Sequence, residues 1–578
     1  MKKISFYLLL LTALWLSACS QPKADHIQLK IMGTSDVHGA LLPYDLVNDR
    51  ETNSSLAQVY SYVTKAREDK TTDLILLDNG DILQGDPMVY YSNFEKTNTT
   101  HICAQVMNYM HYDAATVGNH DIEPGHEVYD RVRKEFKFPW MAANAVRNSD
   151  GKPYFKPYTI IEKEGAKIAV LGLITPAIPK WLPEKIWEGM HFEPMVSSAK
   201  KWVKIIQEKE HPDFVIGLFH SGTGATLTKG GEVPENASIL VAKNVSGIDM
   251  VICGHDHHEN ILWVENPEGK KVLVMDPRNK ARFIAEADVD LDWNTETKTY
   301  DKQIKGKLVQ VADLKESPQY VAHFQPMFEE VKNYVSKPVG VFKESISTRD
   351  AMFGDSPFMD LIQHIQLDLA KADISFAAPL SYNTSIDSGK LYVRDMFKLY
   401  RFENLLYTMN LTGKEVKDFL EFSYKDWFRQ MKKPTDDLLN IETTEKGSRL
   451  TTLFFNYDAA EGIDYIVDVS KPYGDRVKIL QMSNGKAFDE TKMYRVALNS
   501  YRGNGGGNHL TEGAGLSKAE LTSRLVNSTT KDLRYYLMKW IEKKGTIDIK
   551  CNNNWKVVPE KWWQQAKTKE YKLLYGEK

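Results

Sequence analysis

The sequence is short of cysteine, of net charge and of long apolar runs, and each shortage excludes something. Four cysteines occur in 578 residues, and beyond Cys19 only Cys103, Cys253 and Cys551 remain. Three thiols close at most one disulfide, so a cross-linked scaffold is excluded and core burial must supply the stability. Formal net charge is -3, which leaves no global cationic field to draw the chain to a nucleic acid polymer. Past the N-terminus no apolar stretch is long enough to cross a bilayer. No internal repeat and no low-complexity tract stands out, which argues against solenoids and disordered linkers.

What is there is an ordinary globular balance, 42% hydrophobic and 26% charged. At roughly 150 residues per domain the length permits two to four domains. The N-terminus has Lys2 and Lys3, a nearly unbroken apolar run over 4–16, and then Leu16-Ser17-Ala18-Cys19. A run of that length is too short to span a bilayer, and small residues before a cysteine suit cleavage. The pattern resembles a bacterial lipoprotein signal over 1–19, with Cys19 cleaved and lipidated. A plain secretory signal with an incidental cysteine is the alternative. Lipidation would tie an exported body to a membrane surface of the cell envelope, on the periplasmic or outer-membrane face.

Short β-rich runs at 27–32, 74–77, 114–117, 168–173, 214–218 and 250–252 alternate with helical-period stretches such as 54–68 and 196–209. That alternation predicts βαβ units. Asn53 or Ser54 is the expected cap of the first helix. A helix over 319–334, ended by Pro338-Val339-Gly340, marks a boundary. The expected layout is a first domain over 27–315, a linker over 316–340, a second α/β domain over 341–557 and a tail over 558–578. The second region holds an amphipathic helix over 414–429 and the glycine cluster 503–507. The tail suggests no role.

Five of the apolar runs end in the same chemistry. Asp36-Val37-His38-Gly39 follows the first, Asp78-Asn79-Gly80-Asp81 the second, Gly118-Asn119-His120-Asp121 the third, His220-Ser221-Gly222 a later one, and Gly254-His255-Asp256-His257 the last. In α/β sheets ligands gather beyond the carboxyl ends of strands, and neighbouring glycines allow sharp turns there. Each motif alone reads as easily as a solvated pair, a turn or a helix cap. Five in series deliver oxygen and imidazole donors to one edge, a mixture that favours zinc, manganese, cobalt or iron over calcium.

In that order the motifs resemble the calcineurin-like metallophosphoesterases. The second region resembles the C-terminal domain of the periplasmic 5′-nucleotidase and 2′,3′-cyclic-nucleotide phosphodiesterase family, and the likeness runs from about residue 29 to 557. It implies an α/β protein: a layered β-sandwich flanked by helices, joined by a helix to a substrate domain. It also implies two divalent cations, one held by Asp36, His38 and His257, the other by Asn119, His220 and His255, with Asp81 bridging. Two such ions would neutralise a phosphate ester and activate water. His120, paired with Glu123 where the 5′-nucleotidases carry Asp, would assist the leaving oxygen. Asp121 reads as structural, and Asp256 and His258 as neighbours of the ligands. Phe402 and Tyr501 fall at the family's aromatic clamp positions and Asn404 at its base-contacting asparagine.

Met352 and Asn383 stand where the 5′-nucleotidases place phosphate-binding arginines, and Gly507 lies near a ribose-binding Asp of that branch. Arg349 and Arg502 are not clean substitutes. Phe353-Gly354-Asp355-Ser356 and Asn499-Ser500-Tyr501-Arg502 look more like the 2′,3′-cyclic phosphodiesterase/3′-nucleotidase branch. The expectation is therefore an enzyme of nucleotide catabolism, a hydrolase of 2′,3′-cyclic or 3′-nucleotides, or both. A 5′-nucleotidase or nucleotide-sugar hydrolase is the alternative within the family. A non-catalytic nucleotide-binding lipoprotein is the alternative outside it. Oligomeric state is open.

Overall fold

A computed structural model of the chain describes residues 23–224, 233–444 and 447–576. The expected signal over 1–19 and its Cys19 lie outside them. Two six-stranded mixed sheets form the first domain. One carries β1 (His26–Thr34), β2 (Asp73–Asp78), β3 (Ala114–Thr116), β4 (Trp140–Met141), β11 (Phe283–Asn294) and β12 (Thr299–Gln310) in the order β12-β11-β1-β2-β3-β4. The other carries β5 (Tyr158–Lys163), β6 (Ala166–Ile174), β7 (Phe214–His220), β8 (Met250–Cys253), β9 (Glu259–Glu265) and β10 (Lys271–Pro277) in the order β9-β10-β8-β7-β6-β5. β1, β2 and β3 are parallel, as are β6, β7 and β8.

The strands read as continuous apolar runs because both faces are buried. Ile31 of β1 and Ile216 of β7 point into the core between the sheets. Their neighbours Met32 and Val215 point outward into cores roofed by helices, as the two-residue period of a strand requires. Leu56–Glu68, Ile102–Met110 and His126–Glu135 cover the first sheet. Met195–Glu210 and Ser238–Asn244 cover the second. The result is four layers, helix–sheet–sheet–helix.

The first helix begins one residue later than its sequence suggests. Ser55 is the cap, its Oγ accepting from Ala57 N at 3.1 Å. Ser54 instead donates to the Lys280 and Ala281 carbonyls, fastening the loop after β10. The connecting helix is Pro318–Val335, with Tyr320, Phe324, Phe328, Val331 and Val335 packed on the first domain.

The second domain is built on β13 (Ile374–Ala377), β14 (Leu406–Thr412), β15 (Ala459–Glu461), β16 (Met493–Asn499) and β17 (Leu525–Ser528), ordered β15-β13-β16-β14-β17. Its amphipathic helix is Gly413–Lys425 and stops short of 429. Trp427 and Phe428 continue the apolar pattern but leave the helix to enter the core, Trp427 donating its indole N–H to the Met352 carbonyl at 3.1 Å. The tail, without a role in sequence, is a sixteen-residue helix, Glu560–Tyr575. Its Trp563 donates to the Phe353 carbonyl at 2.7 Å. Among the described residues no helix is long and apolar enough to cross a membrane.

Candidate active site

Five strands point their carboxyl ends at one edge, and the turns beyond them carry the candidate donors. β7 ends on His220 itself; Asp36 and His38 follow β1, Asp81 follows β2, Asn119 follows β3, and His255 and His257 follow β8. The turns are tight enough to force backbone that L-residues seldom adopt. Asp36, His38, Asp81, His255 and His257 have φ of 51°, 45°, 60°, 78° and 59°. Left-handed conformations at non-glycine positions cost energy and cluster where a site over-determines them. Neighbouring glycines make room: a Cβ on Gly118 would strike the Asp81 carboxylate, and one on Gly254 would strike Ser35 and Asp36.

All seven predicted donors converge, in two groups. Asp36, His38 and His257 each offer an atom within 4.8 Å of the other two, and so do Asp81, His220 and His255. In the first group His257 Nε2 lies 3.3 Å from Asp36 Oδ1 and 3.1 Å from His38 Nε2. In the second, Asn119 Oδ1 lies 2.8 Å from His255 Nδ1 and 3.1 Å from His220 Nε2. Asp81 stands between the groups, its Oδ2 3.2 Å from His220 Nε2 and 3.9 Å from His38 Nε2.

The set has the character of a cation site. Asp81 Oδ2 and His38 Nδ1 are buried with no hydrogen-bond partner, and such orphans are rare in a folded protein. Burial alone would raise both carboxyls. The His257 hydrogen bond and His220 charge nevertheless hold Asp36 at about 2, and the His220 and His120 charges hold Asp81 well below the carboxylate range. Burial alone would lower His220, yet Asp81 lifts it to about 10. Two buried carboxylates held in the charged form beside imidazoles make a place where a divalent cation fits.

Backbone and neighbours fix the donors. His220 Nδ1 meets the Asn79 carbonyl at 2.7 Å, leaving Nε2 to face the site. Buried Asp121 accepts from the N–H groups of Asp81, Ile82, Leu83 and Gly118, which gives it the structural place expected. Asp256 accepts from Thr223 and His258 is exposed. His120 Nδ1 meets Glu123 Oε2 at 2.5 Å. Burial would depress His120, but Asp81 and Glu123 lift it to about 9.

The second-domain candidates stand at the interface in a looser array. Phe402 is half-buried against the apolar core beneath it. The Asn404 carbonyl accepts from Leu533 N at 2.7 Å. Burial pushes the Tyr501 phenol up, and Glu235, which meets His255 Nε2 at 2.9 Å, adds to that. The Phe402 and Tyr501 rings make no contact with each other. Arg502 is 1% exposed and holds Asp458 and the Gly506 carbonyl, so it is internal. Arg349 donates to Asn383 Oδ1 at 2.6 Å.

Several residues that carried no motif also reach the site. Trp181 stacks on His255 with ring centroids 5.5 Å apart, and its carbonyl accepts from Asn504 of the second domain. Asn279 Nδ2 lies 3.0 Å from His257 Nδ1. A cavity of about 580 Å³ opens between the domains beside His38, lined among others by Asp86, Lys280 and Arg401. Burial lowers both Lys280 and Arg401; at Lys280 the charge of Arg401 adds to this while Asp86 and Asp45 oppose it.

A layered sandwich with aspartate, asparagine and histidine converging at paired strand ends defines a phosphoric ester hydrolase of the metallophosphoesterase class. The sequence profile of the calcineurin-like phosphoesterases matches residues 29–259, and that of the 5′-nucleotidase C-terminal domain matches 338–512. The chain belongs to the calcineurin-like phosphoesterases that carry a 5′-nucleotidase C-terminal domain, a family that uses divalent metals. It is 27% identical over 603 residues to the 2′,3′-cyclic-nucleotide 2′-phosphodiesterase/3′-nucleotidase of Haemophilus influenzae, covering 94% of this chain and 89% of that one. It is 27% identical over 598 residues to the trifunctional nucleotide phosphoesterase protein YfkN of Bacillus subtilis, covering 93% of this chain but 39% of that relative's length. The solved 5′-nucleotidase precursor of Thermus thermophilus shares the fold, with a TM-score of 0.63 at 19% identity over 92% of this chain and 100% of that one.

Proposed function

We propose that this protein is an exported, lipid-anchored nucleotide phosphoesterase acting on 2′,3′-cyclic and 3′-nucleotides with two divalent cations. Asp36, His38 and His257 would hold one ion and Asn119, His220 and His255 the other, with Asp81 shared between the two groups. The ions would be zinc, manganese, cobalt or iron and, when bound, supply Lewis acidity to the phosphoryl group. His120, kept cationic by Glu123, stabilises charge on the leaving sugar oxygen and gives it a proton. Phe402 and Tyr501 stack on the base from either side, a contact worth about 1–3 kcal/mol, while Asn404 addresses its edge. The product is a nucleotide or nucleoside for salvage.

The observation that carries this reading is the convergence of seven donors from five strand ends, with the buried Asp81 carboxylate standing between the two groups. The preference for cyclic and 3′ substrates rests on the names of relatives at 24–27% identity and on the missing second-domain arginines.

The test is phosphate release from a panel of 5′-, 3′- and 2′,3′-cyclic nucleotides, with chelated and metal-restored protein. We expect metal-dependent release, faster from cyclic and 3′ substrates. Faster release from 5′-nucleotides would move the protein to the 5′-nucleotidase branch. Nucleotide binding without metal-dependent release would make it a binding lipoprotein. Anchoring is read separately: Cys19→Ala should shift the protein from the membrane fraction to the soluble fraction.

A further inference from the structure

A second cluster of ligating side chains lies in the C-terminal domain, apart from the aspartate–histidine site. Asp355 stands just before Ser356, the cap of the helix Pro357–Ala370, and Asp360 lies in its first turn. Cys551 comes to them from the loop before the strand Trp555–Val558. One donor atom from each of the three lies within 4.8 Å of the others, and Cys551 Sγ is 3.3 Å from Asp355 Oδ2. Glu461 and His364 adjoin them, 3.6 Å apart.

A helix N-terminus accounts for one carboxylate. It does not account for a second, an adjoining third and a thiol. Asp360 is 0% exposed. Its Oδ2 accepts from Asn552 N at 3.0 Å, but Oδ1 is buried without a partner. Burial and the neighbouring Asp355 push Asp360 up to about 8 and Cys551 up to about 12. Packed in this way the groups must retain protons or share a cation.

We propose that Asp355, Asp360 and Cys551 bind a divalent cation of borderline softness, zinc foremost, at a structural site separate from the catalytic one. Mixed thiolate and carboxylate donors suit zinc and disfavour calcium and magnesium. Glu461 and His364 are placed to complete four-coordination. On binding, the thiol proton and the Asp360 proton leave to solvent and bonds from sulfur and oxygen to the cation form, so the site weakens as pH falls. The ion ties the helix Pro357–Ala370 to the loop that leads into the last strand.

Cobalt(II) tests this on the full chain. The catalytic cluster offers only oxygen and nitrogen donors, so cobalt–thiolate charge-transfer absorption reports the second site. Chelator-stripped protein titrated with cobalt should develop that absorption. Cys551→Ser and Asp360→Asn should abolish it, and zinc should shield Cys551 from alkylation. Cys551→Ser should leave phosphate release unchanged. Absence of the absorption in the parent, its persistence in Cys551→Ser, or equal alkylation with and without zinc would overturn the proposal and leave a proton-sharing pair of acids. Should Asp360→Asn fail to fold, Cys551→Ser alone decides. The readouts are absorption and thiol protection, so a protein inactive on nucleotides would still answer the question.

Discussion

At the scale of single residues the site turns on Asp81. Its Oδ1 accepts from His120 N at 2.8 Å, while Oδ2 faces His220 and His38. Asp81→Asn keeps the shape and removes the charge common to both groups. Turnover should fall on the order of 10³-fold or more, measured as kcat at saturating metal; a near-normal kcat would contradict the bridging role. Lys280 and Arg401 lead to a different kind of prediction. Each lines the cavity beside His38. Replacing either with Ala should raise KM for anionic substrates about tenfold, a loss of about 1.4 kcal/mol, with kcat little changed. The seven donors were legible because each lies at the end of one of five strands or within a few residues beyond it. Lys280, Arg401, Trp181 and Glu235 were not: Trp181, Glu235 and Lys280 come to the site from segments with no motif of their own, and Arg401 reaches it only where the second domain meets the first.

Among the elements, the C-terminal helix Glu560–Tyr575 is the one whose place the sequence hid most fully. Its charged face gave no hint that Glu570 is buried and accepts from Leu438 N at 2.6 Å and Leu439 N at 3.0 Å. Burial outweighs those two bonds and raises the carboxyl to about 7. A raised carboxyl binds its proton more tightly folded than unfolded, so its contribution to stability is present below about 4.5 and lost as pH climbs toward 7. The span corresponds to at most about 3 kcal/mol. Urea midpoints taken across that window should fall for the parent relative to Glu570→Gln; parallel curves would refute the assignment. Helix boundaries were the other weak point of the sequence. Ser54 and Ser55 are equally good caps by type, and only the Ser54 bonds to the Lys280 loop settle which one serves. Trp427 and Phe428 fit a helical period, but core packing takes them out of the helix.

For the whole molecule, Tyr90 is one of the points at which the domains join. This first-domain side chain is 6% exposed and lodges in a second-domain core. Its hydroxyl donates to Asp532 at 3.2 Å, and the Arg534 guanidinium lies 5.0 Å from its ring. Arg534 in turn pairs with Glu403, whose charge reaches Glu123 and His120. The anchor thus links domain apposition to the His120–Glu123 pair. Tyr90→Ala should broaden the solution scattering profile and change kcat and KM together. A change in melting temperature with unaltered scattering and kinetics would count against that coupling. The two-domain plan was readable from the βαβ alternation and the helix before Pro338, whereas the Tyr90 anchor depends on contacts between residues hundreds of positions apart.

The Asp121 carboxylate holds four backbone N–H groups around the Asp81 turn, and the Asp36 and His38 N–H groups bond to the Gly80 and Asp81 carbonyls at 3.0 Å each. The awkward torsions of the donors are therefore locked by the polypeptide itself. Because main-chain bonds shape these turns, differences in turnover among zinc-, manganese-, cobalt- and iron-loaded forms should report the ions' own chemistry.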